Sequence, residues 1–326
     1  MSKLNKILVV ILIIQLALTA FVFWPKSTVQ AGEPLFADFA ASEVAKLTIR
    51  DNEDNVIVLA KNGENWVLPE ADDFPVQADK VSTLLEKLEG IKGNRLVTQT
   101  EASHNRLKVD ENDFNRLIEI ELADGTQHKL YVGSSGGASA THVRADGQPE
   151  VYLADMNTFD VSAQPSGWID TLYVEIPQEN VVAVKLENEN GTFEFAKEGD
   201  TWTMLDLAED EVFNESGLTG MLNNAATVRL TAPLGKAEES AYGFNKPLAV
   251  VTLTYEQEDR SQVATIEVGA KTEDNSYYLK SSGSPYYVTV SEFIGSSLID
   301  KTRNDFLQEP PAGQTEDVTG SPIESE

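Results

Sequence analysis

The amino-acid sequence predicts an α+β protein: two tandem copies of a mainly antiparallel β domain with one packed helix each, after an N-terminal transmembrane helix. Three observations support this prediction. The chain begins with a long apolar run, motifs of its first half return in its second half, and each half contains one helical stripe of apolar residues among short alternating segments. At about 150 residues per domain, the 326 residues also fit two domains.

The apolar run predicts a transmembrane helix over residues 1–25. Ile7 through Trp24 are interrupted by only two polar residues, Gln15 and Thr19. Roughly 20 apolar residues cross a bilayer core of about 30 Å. The run is therefore long enough to span, and it exceeds the roughly 7–15 apolar residues that are usual in a cleaved signal peptide.

The charges that flank the run predict its orientation. Lys3 and Lys6 precede it and acidic residues follow it, and basic flanks remain in the cytoplasm. We expect a single-pass protein of the cytoplasmic (inner) membrane, with its N-terminus inside, a stalk over residues 26–38 and the bulk of the chain extracytoplasmic (periplasmic). Cleavage after Ala31 is the open alternative, because Val29-Gln30-Ala31 offers small residues to a signal peptidase.

The recurring motifs predict a duplicated domain. The segment A-K-N-G-E-N-W, which ends at Trp66, returns as A-K-E-G-D-T-W, which ends at Trp202, an offset of 202 − 66 = 136 residues. Solenoid repeats are much shorter, at about 20–50 residues. The predicted copies cover residues 39–175 and 178–307, and the proline-containing acidic tail, 308–326, is expected to be disordered because it has few apolar residues to bury.

Each copy opens with a predicted β-hairpin. The strands are expected at 44–50 and 56–61 in copy one, and at 181–187 and 192–197 in copy two. In the first strand, strict alternation places Val44 on the face opposite to Leu47 and Ile49.

A helix follows the hairpin in each copy. The apolar residues of copy one fall at i, i+3, i+4, i+7 and i+10, which is one face of a 3.6-residue period: Val81, Leu84, Leu85, Leu88 and Ile91. The equivalent stripe of copy two is Leu218, Leu222 and Ala225, and Asn214, which precedes it, is the predicted N-cap.

Short alternating segments joined by Gly, Asp and Pro turns predict antiparallel strands after each helix and argue against a parallel sheet. In copy one they are 117–122, 129–132, 141–144 and 151–153. In copy two they are 250–255, 262–268, 277–280 and 286–290.

Composition excludes several functions. The formal net charge is −28, from 53 acidic and 25 basic residues, so the chain lacks the basic footprint that nucleic acid requires. Anionic lipid headgroups would be repelled as well. The chain has no cysteine, which removes disulfides, thiol nucleophiles and cysteine metal sites.

One segment matches a catalytic pattern. Gly133-Ser134-Ser135-Gly136-Gly137 spells G-x-S-x-G, the nucleophile elbow of α/β-hydrolases, which requires a strand followed directly by a helix. A strand is predicted to follow here, and copy two has Gly269-Ala270-Lys271-Thr272 in its place. We therefore interpret the segment as a hairpin loop.

The three histidines also give no site. His104, His128 and His142 lack the spacing of metal ligands, and none returns in copy two. The sequence thus predicts no catalytic residue, no cofactor-binding residue, no metal ligand and no cofactor.

The residues that do recur are interpreted as structural. Glycines are expected to supply positive φ in turns, tryptophans to cover a sheet face, and arginines to neutralise the C-terminal dipole of the helix. A ligand cleft at the tryptophans or arginines is the alternative. The pairs are Trp66/Trp202, Gly63/Gly199, Arg95/Arg229, Gly133/Gly269 and Gly147/Gly283.

Taken together, these motifs resemble a family. The K-L strand, the A-K-x-G-x-x-W hairpin, the leucine-striped helix ending in R-L, and V-G followed by a G-x-P turn are similar, in both copies, to the family of domains of unknown function numbered 4340. The resemblance covers roughly residues 39–307. It implies a single-pass envelope protein associated with an ABC-type transport system of the gliding-motility-auxiliary kind, and it supplies no catalytic residues.

Three functions remain open. The favoured one is a non-catalytic, membrane-anchored extracytoplasmic binding or scaffold module, an accessory subunit whose partners are the subunits of an ABC-type transporter complex. The second is an envelope hydrolase acting on glycan or ester substrates; for glycan this would need two carboxylates that converge in one cleft. The third is a small-ligand-binding protein that uses the groove between the two copies, since domain interfaces favour pockets.

Overall fold

The computed structural model describes Gln15 and residues 32–308. The predicted transmembrane helix, apart from Gln15, and all but the first residue of the predicted tail lie outside the described residues. Within the described part, no helix has the length and apolar character needed to cross a membrane.

The chain divides into two compact units. Unit 1 comprises the described residues up to Lys61 together with Ala78–Gly167, and unit 2 comprises Asn62–Gln77 together with the described residues from Trp168 onward. The division follows spatial contacts and not sequence repeats, so the copy boundaries at 39–175 and 178–307 stay a prediction.

Unit 1 contains an antiparallel sheet with the strand order β2-β1-β6-β7-β8-β9-β5. Its strands are β1 (Val44–Asp51), β2 (Val56–Asn62), β5 (Leu96–Thr98), β6 (Arg116–Leu122), β7 (Gln127–Gly137), β8 (Ala140–Ala145) and β9 (Val151–Ala154). The predicted turn between β1 and β2 is stabilised by the Asp51 carboxylate, which accepts hydrogen bonds from the backbone amides of Glu53 and Asn55 at 2.9 and 3.0 Å.

One expectation for β1 was wrong. Val44, Leu47 and Ile49 are all completely buried, although strict alternation would place Val44 on the opposite face. The cause is a register shift between Val44 and Lys46 in the pairing of β1 with β6. A bulge inserts one extra residue and so returns the next side chain to the same face.

From residue 32 onward, the described part of unit 1 contains two α-helices. Helix α1 (Ala78–Glu89) buries Val81, Leu84, Leu85 and Leu88, which are four of the five residues of the predicted stripe. Ile91 is buried beyond the helix end, where its carbonyl accepts a 2.8 Å hydrogen bond from the amide of Leu35. Helix α2 (His104–Leu107) is a single turn that the sequence did not predict.

Unit 2 contains an eight-stranded antiparallel sheet with the order β13-β12-β11-β16-β17-β18-β19-β15. Strands β10 and β14 pair with each other, and so do β3 and β4. The strands are β3 (Asn65–Leu68), β4 (Phe74–Pro75), β10 (Leu172–Glu175), β11 (Val181–Asn188), β12 (Gly191–Glu198), β13 (Thr201–Met204), β14 (Thr227–Arg229), β15 (Ala232–Gly235), β16 (Ala249–Gln257), β17 (Arg260–Lys271), β18 (Tyr277–Ser281) and β19 (Tyr287–Val290).

Unit 2 also has two α-helices. Helix α3 (Glu215–Ala226) buries Leu218, Leu222 and Ala225, as predicted, and the Asn214 side chain caps it by accepting from the Ser216 amide. Helix α4 (Glu292–Ile299) follows β19. The predicted α+β class, with mainly antiparallel sheets, is confirmed.

The two units share one connectivity. In each, a hairpin (β1-β2 or β11-β12) is followed by a helix, and four antiparallel strands then run consecutively from the first hairpin strand outward (β6 to β9 or β16 to β19). A short strand that comes after the helix in sequence, β5 or β15, closes the far edge. A common order of this length supports a duplicated domain.

Candidate functional site

The G-S-S-G-G segment lies at the end of a strand that turns back into another strand. Strand β7 runs to Gly137, and only Ala138 and Ser139 separate it from β8. The Ser135 hydroxyl donates to the Gly137 carbonyl at 3.2 Å, so it holds this turn. A nucleophile elbow needs a helix directly after the strand, and none follows here.

Ser134, and not Ser135, contacts a histidine. Its Oγ lies 3.2 Å from Nδ1 of His142. The same Nδ1 lies closer, at 2.8 Å, to the Ser134 carbonyl oxygen, which can only accept. Nδ1 therefore carries the proton and cannot remove one from Ser134, whose hydroxyl instead donates to the Leu107 carbonyl at 3.2 Å. The hydrogen bonds of Ser134 and His142 therefore connect β7 with β8 and with α2.

The other histidines occupy separate structural positions. His104 is buried, and its Nε2 lies 3.0 Å from the carbonyl oxygen of Pro149. The His128 ring packs against Phe36 with 4.8 Å between ring centroids. Across residues 32–308, no group of three or more His, Asp or Glu side chains is arranged to hold a metal ion.

An opening whose wall is mainly apolar lies in unit 2 and is named here the tyrosine cavity. It has a volume of about 330 Å³, at the lower end of the roughly 300–1,000 Å³ of ligand sites. Its main walls are Phe74, Leu172, Tyr173, Leu230, Pro285 and Tyr286. Gly283 also lines it and was marked by the repeat, but most of its walls come from separate loops and short strands that share no sequence signal.

Hydrogen bonds to the backbone fix both tyrosines of the cavity. The Tyr173 hydroxyl donates to the Tyr286 carbonyl at 2.6 Å and accepts from the Ser281 amide at 3.1 Å. The Tyr286 hydroxyl donates to the Asp73 carbonyl at 3.0 Å. Burial raises the pKa of the Tyr173 phenol above its ordinary value, so this hydroxyl stays neutral and committed to the protein.

Comparison with known proteins assigns the chain to a family. The family model described as "Domain of unknown function (DUF4340)" matches residues 66–247 and residues 213–316. The chain belongs to this family. No curated protein matches it, and no solved structure matches it. The resemblance inferred from the motifs is confirmed.

The recurring glycines of this DUF4340 chain serve two different purposes, except Gly283. The predicted positive φ was wrong for Gly283, whose added Cβ would meet only an ordinary contact at 3.7 Å, whereas its counterpart Gly147 has the expected positive φ of 70°. Gly63 and Gly199 have φ of 63° and 61°, as expected for turns. Gly133 and Gly269 do not have positive φ, so the reason predicted for them was wrong. An added Cβ would meet a backbone carbonyl oxygen at 2.1 Å in both, from Leu107 and Tyr242 respectively. Glycine is required there because a helical turn packs directly onto the strand.

The recurring tryptophans are explained by packing. Trp66 and Trp202 are buried, at 7% and 8% exposure. The recurring arginines make exposed polar contacts with different partners: the Arg95 guanidinium donates to the Asp155 carboxylate, and an Arg229 nitrogen lies 3.4 Å from the Thr171 hydroxyl. Of these two pairs in this DUF4340 chain, the tryptophans are therefore core residues.

Proposed function

We propose that this DUF4340 chain is a non-catalytic, membrane-anchored extracytoplasmic module that binds protein partners, and that it serves as an accessory subunit of an ABC-type transport system. The observation that carries the proposal is an exposed phenylalanine in each unit. Phe159 is 92% exposed and Phe293 is 70% exposed. Neither side chain contributes substantially to a core, so folding alone does not account for them.

The two phenylalanines occupy equivalent positions. In each unit the outermost consecutive strand, β9 or β19, leads into a helical turn with a side-chain N-cap. Asn157 caps one turn by accepting from the amides of Phe159 and Asp160, and Ser291 caps the other. Each phenylalanine is the second residue after its cap. Single exposed apolar residues are common on protein surfaces, but a large one that returns at the same place after duplication indicates a shared use.

The surroundings of the phenylalanines favour a particular kind of partner surface. Acidic residues adjoin both: Asp160 pairs with Lys87 at 2.7 Å, and Glu292 pairs with Lys271 at 2.7 Å. Since each carboxylate is already paired with a lysine, an apolar slot with a polar rim of mixed charge would complement such a site. Full burial of a phenylalanine contributes about 1.5–3 kcal/mol, and two linked contacts on one partner complex reinforce each other through effective concentration.

The geometry at Ser134 and His142 supports the non-catalytic part of the proposal. The imidazole nitrogen nearest to the hydroxyl is already a donor to a carbonyl, so the pair lacks the base that activates a serine nucleophile. The form of the hydrolase alternative that uses a serine nucleophile therefore gains no support from this pair.

The proposal is tested by exchanging the two phenylalanines in the full-length chain. Phe159→Ser, Phe293→Ser and the double variant are extracted from native membranes after cross-linking, and the transporter subunits captured with each are quantified. We expect reduced capture for each single variant and loss of capture for the double variant. Val263→Ser is the matched control, because Val263 is 62% exposed elsewhere in unit 2.

Stability measurements separate docking from folding. All four variants should unfold within about 0.5 kcal/mol of the parent chain, the range typical of exposed positions. Unchanged capture of transporter subunits by the double variant would show that the phenylalanines are not docking residues. A parent chain that captures no transporter subunit would overturn the proposed accessory role.

A further inference from the structure

The walls of the tyrosine cavity present aromatic rings and aliphatic groups. Phe74 and Tyr286 meet edge to face, with 4.7 Å between their centroids and 62° between their planes. Tyr173 adds a third ring, and Pro75 and Pro285 add flat apolar surfaces. Since both tyrosine hydroxyls are bound to backbone carbonyls, the rings offer a ligand π surface and not hydrogen-bond donors.

The charge in the cavity wall is negative. Among the described residues that line it, Asp170 is the one that carries a carboxylate, and its Oδ1 accepts from the Leu172 amide at 2.9 Å. No lysine, arginine or histidine lines it. The whole chain carries a formal net charge of −28. This field attracts cations and repels anions.

Lys280 and Lys236 lie near the cavity but do not line it. Lys280 donates to the carbonyls of Ser281 and Ser284, and its burial lowers its pKa. The Lys236 ammonium lies 4.9 Å from the ring centroid of Tyr286 without lining the cavity. The Tyr286 ring is therefore already in contact with a lysine cation, and a ligand cation would have to share this ring with Lys236.

We infer that the tyrosine cavity binds a small organic cation whose nitrogen is fully alkylated, that is, a quaternary ammonium group. Such a cation is attracted to aromatic faces within about 6 Å. It has no N–H group, so its methyl groups can pack against the apolar walls without leaving any donor unpaired. A primary ammonium has three N–H donors, and those that do not reach Asp170 would lie against apolar surface, which is costly.

Other small ligands fit the walls less well. An anion would meet Asp170 and find no basic side chain or free amide donor. A sugar would present several hydroxyl groups to a wall whose polar side chains are Asp170, Ser284 and two committed tyrosines. The inference is independent of the proposed docking function, because none of the cavity residues is Phe159 or Phe293.

The test compares two probes of the same shape on the detergent-solubilised full-length chain. Choline carries the quaternary nitrogen, and 3,3-dimethylbutan-1-ol is its neutral isostere with carbon in that place. Titration calorimetry should show saturable binding of choline at least about tenfold tighter than the neutral alcohol, since a desolvated cation–π contact gives a difference of this order. This comparison needs no variant and so does not depend on any substitution being tolerated.

Variants then locate the site. Asp170→Asn should weaken choline binding about threefold to fivefold, the range of a partly exposed charge pair, and Tyr286→Leu should reduce it further. Asp200→Asn, at an exposed turn of unit 2, is the charge-matched control and should bind as the parent does. Equal affinity for the two probes, absence of saturable choline binding, or unchanged binding in folded Asp170→Asn and Tyr286→Leu would each overturn the inference.

Discussion

At the scale of single residues, Gly133 and Gly269 are the clearest case of a position retained for packing. Each lies where a carbonyl oxygen of a preceding helical turn would be 2.1 Å from an added Cβ. We predict that Gly133→Ala and Gly269→Ala each lower the free energy of unfolding by about 1–3 kcal/mol, as overpacking of a rigid interior does. Urea denaturation followed by circular dichroism measures the change.

Gly220 provides the control for these two substitutions. It lies in α3, is exposed, and has no atom within 4 Å of an added Cβ. Gly220→Ala should therefore raise the free energy of unfolding by up to about 1 kcal/mol through helix propensity. If Gly133→Ala and Gly269→Ala also stabilised the chain, the close approach of the helical turns would not exist in solution.

Residue positions could be predicted from the sequence better than residue roles. Recurrence at the 136-residue offset marked Gly133 as a structural position. The reason predicted for it, a positive φ, was wrong, because a close approach between segments that are distant in sequence leaves no local signal. The Ser134–His142 contact was missed for the same kind of reason. It depends on register shifts in the pairing of β7 with β8 between Val132 and Gly137, and bulges have no strict sequence signature.

At the scale of elements, the length of a helix determined whether it could be predicted from the sequence. The stripe of α1 was predictable because a helix of 12 residues repeats its apolar spacing several times. Helix α2 has only four residues, too few for a period to appear. In unit 2 the equivalent position carries the 3-10 turn Ser240–Tyr242, which is equally short and was also missed.

The last helical turn of the described chain is tied to a loop by an ion-pair network. The Arg303 guanidinium donates to the Glu211 carboxylate at 2.8 Å through Nε and to Asp206 Oδ2 at 2.6 Å. The hydrogen bond from Arg303 is the largest of the causes that lower the pKa of Glu211 from 4.5 to about 2. A carboxyl group with a lowered pKa stabilises the folded state above its unfolded pKa, and this stabilisation disappears as the pH falls toward the folded pKa.

We therefore predict that Arg303→Met destabilises unit 2 at neutral pH and that the difference from the parent chain shrinks between about pH 4.5 and pH 2. Thermal unfolding across this range measures it. The control is Arg260→Met, which removes an exposed arginine at a hairpin turn. A difference that stayed constant on acidification would show that Arg303 acts through packing of its aliphatic stem instead of through Glu211.

At the scale of the whole molecule, duplication explains why architecture was easier to predict than function. Two copies under the same folding constraints repeat their core residues, so the recurring positions in the sequence indicate which residues form the fold. A binding site such as the tyrosine cavity needs to form only once, so most of its residues are not marked by recurrence, Gly283 being an exception. Tyr173, for example, stood beyond the last strand that the sequence predicted for copy one, yet it lies in β10 and contributes a wall of the cavity.

The final prediction concerns the placement of the chain relative to the membrane. The apolar run from Ile7 to Trp24 with Lys3 and Lys6 before it should act as an uncleaved anchor that exports the rest of the chain. An alkaline phosphatase fused to the C-terminus should be active and a green fluorescent protein fused there should be dark, since the former requires export and the latter folds in the cytoplasm.

Charge reversal tests the cause of this orientation. Lys3→Glu with Lys6→Glu removes the basic flank and should reduce phosphatase activity, whereas the conservative exchange Lys3→Arg with Lys6→Arg should leave it unchanged. Carbonate extraction should retain the parent chain in the membrane fraction. Release of a shortened chain by carbonate would indicate cleavage after Ala31, and fluorescence from the C-terminal fusion would contradict an extracytoplasmic module altogether. Either result matters for function, because a tethered module meets membrane partners at a high effective concentration and a free one does not.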